Sequence, residues 1–270
     1  MDICGFVHGD ERLNSKAFMV RRAAEAGGAP GACAPFPDSI VNPTPEDLLA
    51  FYPSDARFVT KRAGLQRQLG VAVLSRDELS AHPFEAEELV QRFISDPLLL
   101  QPAGLKFTMR VYAFATRADR AFYLHSSGKV YHCVEPFAEG TRGATVTSGY
   151  LSEEAIAGLP YSLAQLREAL GAEVYDAIWG RVVEKTRLLA QLMAPHVAPV
   201  DVYDGDRRAV LLGVDVEVDA ALEPWVLEAN VYPDMGFKND VDVALKTAVL
   251  DDMRDLCMNG VRSAALTRLV

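Results

Sequence analysis

The sequence is poor in the features that mark several large classes of protein. Among its 270 residues are four cysteines, Cys4, Cys33, Cys133 and Cys257, and no two of them form a CxxC pair. That argues against a zinc site or a dense disulfide scaffold and fits reduced thiols in a cytoplasmic protein. No run of roughly 18 apolar residues occurs, so no membrane-spanning helix is expected. The opening Met1-Asp2-Ile3-Cys4 lacks a basic stretch followed by an apolar core and does not read as a secretory signal. Positive charge is also in short supply: 27 Lys and Arg against 37 Asp and Glu leave a net charge of −10. A general nucleic-acid binder needs the opposite balance to neutralise phosphates, so neither nucleic acid nor membrane is an expected partner. Local basic clusters exist nonetheless, at Lys61, Arg62 and Arg67 and at Lys106, Arg110, Arg117 and Arg120. Internal repeats and low-complexity tracts are absent.

What is present is apolar bulk: half of the residues are hydrophobic, enough to bury a core as one large domain or as two or three small lobes. Ile3 to His8 reads as a short strand, Ser15 to Ala26 as a helix, and Gly27 to Pro43, rich in Gly, Ala and Pro, as a loop. Thr44-Pro45-Glu46-Asp47 opens a short helix with Thr44 as its cap. Arg57 to Lys61, Gly70 to Leu74 and Leu89 to Ile94 read as strands, and Ser75-Arg76-Asp77-Glu78 as a capping box that starts a helix. Phe107 to Thr116, Ala121 to His125 and Lys129 to Val134 look like a meander. Helices are expected near Ser152 and from Ser162 to Met193 with a break around Gly171, stopped by Pro195 and Pro199. Ala209 to Val218 and Trp225 to Asn230 read as strands joined by a turn with Pro224. A last helix covers about Asp240 to Met258, with apolar residues at Val243, Leu245, Val249 and Leu256. Blocks of strands and helices without strict alternation predict an α+β fold.

The most informative stretch is Gly213-Val214-Asp215-Val216-Glu217-Val218-Asp219. Its alternation places Asp215, Glu217 and Asp219 on one face of a strand and three valines on the other. In Trp225-Val226-Leu227-Glu228-Ala229-Asn230, Glu228 and Asn230 likewise share a face. If the two strands pair, Asp215, Glu228 and Asn230 converge as oxygen donors of the kind that Mg²⁺ takes, alongside phosphates and water. Such a face would repel itself without a cation. The alternative is a surface hairpin whose acidic face is solvated; Asn230, disfavoured in strands, weighs against that. Lys61 ends a strand, and Gly64 to Gly70 leads into the next. A lysine beside a glycine-bounded loop can reach nucleotide phosphates, with backbone N–H groups as further anion ligands, although an ordinary long hairpin turn has the same appearance.

Taken together, these segments resemble the tubulin–tyrosine ligase family, with its polyglutamylase and polyglycylase relatives, from about Asn14 to Gly236. Gly213-Val214-Asp215-Val216 with Pro224-Trp225-Val226-Leu227-Glu228-Ala229-Asn230 is similar to the family's Gly-Phe-Asp-Phe and Pro-Trp-Leu-Leu-Glu-Val-Asn signature. Phe58-Val59-Thr60-Lys61 followed by Gly70-Val71 is similar to its strand, phosphate lysine and glycine loop. Lys16 to Arg21 resembles its early lysine-led helix, Val90-Gln91-Arg92-Phe93-Ile94 the segment that frames adenine, and Lys106-Phe107-Thr108-Met109-Arg110 its Lys-Phe-Asp-x-Arg strand. Glu135-Pro136-Phe137 falls where Glu-Pro-Tyr is usual.

The resemblance implies an ATP-grasp fold with a short N-terminal lobe over residues 1–50, a central lobe over 51–97 and a C-terminal lobe over 98–270 that carries the metal hairpin. It implies a ligase that uses ATP and Mg²⁺ to join an amino acid to a protein or peptide carboxylate through an acyl phosphate. Lys16, Lys61, Gln91, Arg92, Phe93, Ile94, Lys106, Asp215 and Asn230 would hold the nucleotide. Asp215, Glu228 and Asn230 would hold the metal, and Arg110 would steady the acyl phosphate by charge-assisted hydrogen bonds, so that Arg110 and Glu228 are the catalytic candidates. The implied partners are a free amino acid and an acceptor with an exposed carboxylate, tubulin among them.

The departures from the family pattern are specific. Arg62 replaces a proline and Gln68 a glycine, Thr108 an aspartate near the ribose, and Tyr131 an arginine that helps hold the acceptor; Thr147-Ser148 replaces Thr-Asn. Because these fall mainly on substrate-facing positions, two other readings stand beside the first: a ligase of small-molecule or short-peptide acceptors, and a nucleotide-binding pseudoenzyme. His125 and His132 are the nearest imidazoles, and a lone histidine is more often structural than catalytic.

Overall fold

The computed structural model describes residues 11–27, 34–44, 46–47, 55–62, 71–138, 141–148, 151–152, 154–198 and 208–270. The expected strand at Ile3–His8 and the 64–70 loop lie outside the described residues. The chain divides into two compact units: Ser15–Asp96, and Pro97–Val270 together with the segment that ends at Asn14.

In the smaller unit, helix α1 (Lys16–Gly27) starts at Ser15, whose Oγ accepts the Phe18 N–H at 3.2 Å, and buries Ala17, Met19, Val20 and Ala23. Strands β1 (Ser39–Val41), β2 (Arg57–Lys61), β3 (Val71–Ser75) and β4 (Leu89–Arg92) make a four-stranded antiparallel sheet in the order β1-β4-β2-β3. Between β3 and β4, helix α2 (Arg76–Ser80) opens with the expected capping box: Ser75 Oγ accepts from Glu78 N, and Glu78 Oε2 accepts from Ser75 N at 2.7 Å. Phe58, Leu79 and Val90 form the core, with Ile40, Leu74 and Phe84 packed on it. The segment expected to be a loop up to Pro43 contains β1. Three residues are too few to show a period, and this strand exists because β4 offers its edge. The strand expected over Leu89–Ile94 ends at Arg92, although the Phe93 N–H still donates to Arg57 O at 2.9 Å.

The larger unit is built on a six-stranded antiparallel sheet of β5 (Leu99–Leu100), β6 (Leu105–Thr116), β7 (Phe122–Pro136), β8 (Ala209–Val218), β9 (Pro224–Val231) and β10 (Leu266–Arg268). Its order is β10-β7-β6-β8-β9, with β5 pairing β6. Helices α3 (Arg142–Thr145), α4 (Leu163–Leu170), α5 (Ala172–Met193) and α6 (Asp240–Asn259) complete it. Gly171 separates α4 from α5 with φ +83°, a left-handed conformation that favours glycine, at the break the sequence indicated. The core under α6 joins Tyr112, Phe114 and Leu211 of the sheet to Leu245, Val249 and Met253.

Three expectations are corrected here. The two strands read at 121–125 and 129–134 are one 15-residue strand. A register shift between Val111 and Ala113 on β6 absorbs the irregularity at Ser126-Ser127-Gly128, so the polar stretch bends the ladder without ending it. The helix expected near Ser152 is a set of turns, with Ile156 N to Ser152 O at 3.3 Å and Leu159 N to Ile156 O at 3.0 Å. On α6 the buried stripe is Asp242, Leu245, Lys246, Val249 and Met253, while Val243 is 39% exposed. A carboxylate and an ammonium thus occupy two positions of the core stripe, which hydrophobic periodicity alone assigns elsewhere. Among the described residues no helix is long and apolar enough to cross a membrane. The fold class is α+β, as expected.

Candidate active site

Strand β8 lies between β6 and β9, and all ten of its residues are buried. The acidic strand is therefore interior, not the solvated arm of a surface hairpin. Arg110 on β6 is the cross-strand partner of Asp215 on β8, Asp215 is the partner of Glu228 on β9, and Gly213 is the partner of Asn230. Directly opposed residues in an antiparallel ladder point to the same side, so Arg110, Asp215, Glu228 and Asn230 share one face. A register shift follows at once: Val216 pairs with Val226, which leaves Leu227 as an extra residue and kinks β9 beside Glu228.

The contacts on this face are ionic and buried. Arg110 grips Asp215 with two parallel hydrogen bonds, Nε to Oδ1 and Nη2 to Oδ2 at 2.7 Å, and the side chains are 11% and 13% exposed. Burial works against the guanidinium charge, but the charge and hydrogen bonds of Asp215 outweigh it and the Arg110 pKa is raised. The arginine reaches Asp215 by passing over Gly213. A Cβ there would lie 2.8 Å from Pro233 Cβ and 3.0 Å from Arg110 Cδ and Nη1, so a side chain at this position would force its neighbours to shift. Glu228 and Asn230 are half-buried, and the Asn230 Nδ2 donates to Glu228 Oε1 at 2.8 Å.

Further along β6, Lys106 Nζ meets Glu217 Oε2 at 2.9 Å, an ion pair whose side chains are 5% and 3% exposed. The third acid of the alternating run has a different task. Asp219 accepts from Trp225 Nε1 at 3.0 Å and from the N–H groups of Ala221 and Glu223 at 2.9 Å, and so shapes the turn between β8 and β9. Thr108 and Thr147 share a hydroxyl–hydroxyl hydrogen bond of 2.8 Å.

Next to this acidic strip stands a cationic one that the sequence did not disclose. Lys129 on β7 is the cross-strand partner of Arg110, and Tyr131 that of Thr108. The Arg110 guanidinium carbon lies 5.1 Å from the Tyr131 ring centre, and Lys129 Nζ lies 5.9 Å from the same ring and 4.3 Å from that of Tyr161. Lys129 Nζ donates to Asp242 Oδ1 at 3.3 Å, while Lys246 Nζ donates to Asp242 Oδ2 at 2.8 Å and to Gly236 O at 2.6 Å. Asp242 is wholly buried. Burial lowers the Lys129 pKa to about 8; Asp242 opposes this, and Lys246 and Lys238 add to it. The sequence signal was Asp242 and Lys246 at i,i+4 on a helix, but nothing local links them to Lys129.

Both histidines sit in structural contacts. His125 Nε2 meets Asp252 Oδ2 at 3.0 Å and its Nδ1 accepts the Ser127 N–H, while His132 Nε2 donates to Pro160 O at 2.7 Å. Burial lowers the pKa of each.

The remaining sequence candidates belong to the smaller unit. Lys61 Nζ donates to Gln91 Oε1 at 2.8 Å, and Gln91 Nε2 donates to Ser39 Oγ at 3.1 Å, so a chain of three polar side chains runs across β2, β4 and β1. Phe93 is buried, Ile94 half-buried, and Arg92 exposed with Asp38 3.5 Å from it. Lys16 is half-buried at the first position of α1. Lys61 and Gln91 are thus brought together within one unit, and Arg110, Asp215, Glu228 and Asn230 within the other.

The donor set on β8 and β9 suits a hard cation. It offers two carboxylates opposed across one ladder, and the Asn230 amide, engaged through its nitrogen, leaves a carbonyl oxygen to accept; Mg²⁺ asks for no more than this beside phosphates and water. Among the described residues no three His, Cys, Asp or Glu side chains cluster as a closed protein-only metal cage would require.

Two outcomes are expected from this geometry. Gly213→Ala should cost about 1–3 kcal/mol in urea unfolding. Only part of that cost should vanish in the Arg110→Ala background, because the tightest contact, at 2.8 Å, is with Pro233. For Lys129, the folded pKa of about 8 lies below the ordinary 10.5, so the buried charge is unfavourable below pH 8. That cost is relieved as the pH rises from about 8 to 10.5. Wild-type stability should therefore rise relative to Lys129→Met across that window, as read from urea midpoints.

Comparison with known proteins places this arrangement. The model of the tubulin-tyrosine ligase family matches residues 46–262, a span that holds every site residue named above except Lys16. Over 246 residues the chain is 26% identical to tubulin monoglutamylase TTLL4 of Mus musculus, covering 82% of this chain and 20% of that protein. It is 26% identical over 225 residues to probable tubulin polyglutamylase TTLL2 of Mus musculus, covering 76% and 40%. With tubulin polyglutamylase TTLL5 of Homo sapiens it shares 23% identity over 219 residues, covering 73% and 17%. The chain spans less than half the length of these curated relatives. With a family match over most of its length, on an α+β fold of ATP-grasp type, the chain belongs to the tubulin-tyrosine ligase family.

Proposed function

We propose that this chain is an ATP- and Mg²⁺-dependent carboxylate–amine ligase that adds a free amino acid to a carboxylate of a protein or peptide through an acyl phosphate. The observation that carries the reading is the opposition of Asp215 and Glu228 across the β8–β9 ladder, with Arg110 clamped beside them on the same face. The names of the relatives, which are tubulin glutamylases, favour a protein acceptor. A cytoplasmic setting is part of the reading, supported by the free thiols of Cys133 and Cys257. Three lobes, residues 1–50, 51–97 and 98–270, are the proposed domain layout.

In this mechanism Lys61 and Lys106, with Lys16, attract the phosphates, and Gln91, Arg92, Phe93 and Ile94 line the base. Asp215, Glu228 and Asn230 would hold Mg²⁺, which would supply positive charge to neutralise the phosphates of ATP. The acceptor carboxylate attacks the γ-phosphorus and ADP leaves, giving an acyl phosphate. Arg110 steadies that anion by charge-assisted hydrogen bonds. The deprotonated amine of the amino acid then attacks the acyl carbon, phosphate departs, and an amide is formed. Lys106 joins this scheme only by sharing itself with Glu217, which holds it from the sheet side.

The test is ATP-dependent phosphate release with panels of amino acids and of acceptor proteins, peptides and small carboxylates. Glu228→Gln should abolish turnover while leaving the circular dichroism spectrum unchanged; near-normal turnover in that variant would remove the metal assignment. Lys61→Ala should weaken ATP binding in calorimetry by roughly ten- to a hundredfold, the worth of a charged hydrogen bond. Release with small carboxylates alone would move the acceptor class from protein to small molecule, and ATP binding without release would identify a pseudoenzyme.

A further inference from the structure

The first half of helix α6 turns its charges inward and its apolar side chains outward. Asp242 is wholly buried, Lys246 is 2% exposed, and the two are joined at 2.8 Å. The outward positions of the same stretch are Val241, Val243, Ala244, Thr247 and Ala248, all exposed and none charged. This inverts the ordinary pattern of a surface helix. Helix α5 keeps to that pattern: over a comparable length its exposed side carries Glu173, Asp176, Arg181 and Glu184. Val241 and Val243 are 38% and 39% exposed, and Phe237, just before α6, is 58% exposed. Half of the exposed large apolar side chains among the described residues, three of six, therefore lie at one place. Such side chains scattered singly need no explanation, but a group of them with a polar border marks a surface that meets a partner.

The border is acidic. Asp240, Ala244, Thr247, Ala248, Asp251 and Asp255 recur at intervals of three and four and so share one face of the helix, with carboxylates at both ends of the apolar stretch and none within it. From Asp240 to Asp251 the face runs about 17 Å at the helical rise. Arg254 offsets part of the charge at the far end, 2.9 Å from Asp251 and 3.6 Å from Asp255. With the exposed Asp234 and Lys238 of the segment that leads into α6, the border holds four carboxylates and two cations. A second copy of the chain would bring two such borders together, and like charges across an interface oppose association. The complementary occupant is basic. It is also slender, because Ala244 and Ala248 let a backbone approach α6 closely, as one helix does when it packs along another.

We propose that the outer face of α6 is a docking site for a basic amphipathic helix of a partner protein. Its apolar stripe packs on Val241, Ala244 and Ala248, and Lys or Arg side chains at its two ends meet Asp240 and the Asp251–Asp255 pair. Burial of the stripe supplies affinity and the bracketing charges fix register and select the partner. The inference does not rest on the ligase reading, since none of these side chains takes part in that mechanism.

The test uses the whole chain and a panel of fluorescently labelled helical peptides about 18 residues, or ~27 Å, long. Each carries an Ala/Leu stripe with Lys and Arg at both ends. Two control sets have Glu in place of the basic residues or Ser in place of the stripe. In fluorescence anisotropy at low salt, members of the basic set should bind saturably in the micromolar range and the control sets should not. Added salt should weaken the binding, because the charges are exposed. The double variant Ala244→Lys, Ala248→Lys should lose about tenfold or more of the affinity. Lysine is a good helix former, so the circular dichroism spectrum should be unchanged; Thr247→Lys, on the same face, is the substitute if the double variant does not fold. Asp240→Asn with Asp255→Asn should weaken the basic peptides and flatten their salt dependence. Failure of the whole basic panel on wild type, equal affinity in the lysine variants, or equal binding of the Glu set would overturn the proposal. Sedimentation of wild type as a dimer that the lysine variants dissociate would also overturn it, and would give the face to a second copy.

Discussion

A carboxylate on an interior strand, opposite a second carboxylate, is the constraint from which the rest of the larger unit follows. Asp215 and Glu228 are cross-strand partners, and like charges so placed repel. The repulsion is offset before any ligand arrives, because Arg110 on the other neighbouring strand clamps Asp215 through two hydrogen bonds of its planar fork. That clamp and Pro233 together constrain the residue at 213, since a Cβ there would press on both. The same solution recurs along β6, where Lys106 neutralises Glu217 at full burial. Because the sheet is covered along all of β8, each of its acids has to be paired or to serve a turn, and each is.

The distribution of charge follows from the strand order. Acids lie on β8 and β9, and cations on β6 and β7, so the face changes sign across Arg110, the residue that touches both strips. Arg110 suits that position better than lysine would. Its fork can hold Asp215 along one edge and retain N–H groups for a second anion, whereas an ammonium is a single point of charge.

Much of this was legible in the sequence, and what was legible had a local cause. The alternation from Gly213 to Asp219 specifies β8, the pair of Glu228 and Asn230 two apart specifies the face of β9, and the Ser75 and Ser162 capping boxes and Gly171 specify where helices begin and break. What escaped depends on partners far away along the chain. Strand β1 is made by β4, some fifty residues on, and the single long β7 is made by the ladder with β6 that carries it through Ser126 and Ser127. The face of α6 was misread because its core stripe contains Asp242 and Lys246, which pass for surface residues until Lys129, 113 residues earlier, is placed beside them. Lys106 reads as a phosphate ligand in the sequence and as the partner of Glu217 in the structure; alternation placed Glu217 on the right face but did not say which cation would meet it.

The altered position 131 takes on a different sense in this light. By resemblance a tyrosine there stands where an arginine is usual, which on sequence alone looks like the loss of a cation from the acceptor side. In the fold the charge is not lost from the face. Lys129, two residues earlier on the same strand and hence on the same side, supplies an ammonium, and it and Arg110 both lie over the Tyr131 ring. A ring in that place attracts both cations through its face, which offsets part of the repulsion between two like charges on one side of the sheet. The substitution thus moves the positive charge by one step of the pleat, about the length of two residues or roughly 7 Å along the strand. That step brings the cation into the cross-strand row of Arg110, Asp215 and Glu228, nearer to those acids than position 131, which lies in the row of Thr108.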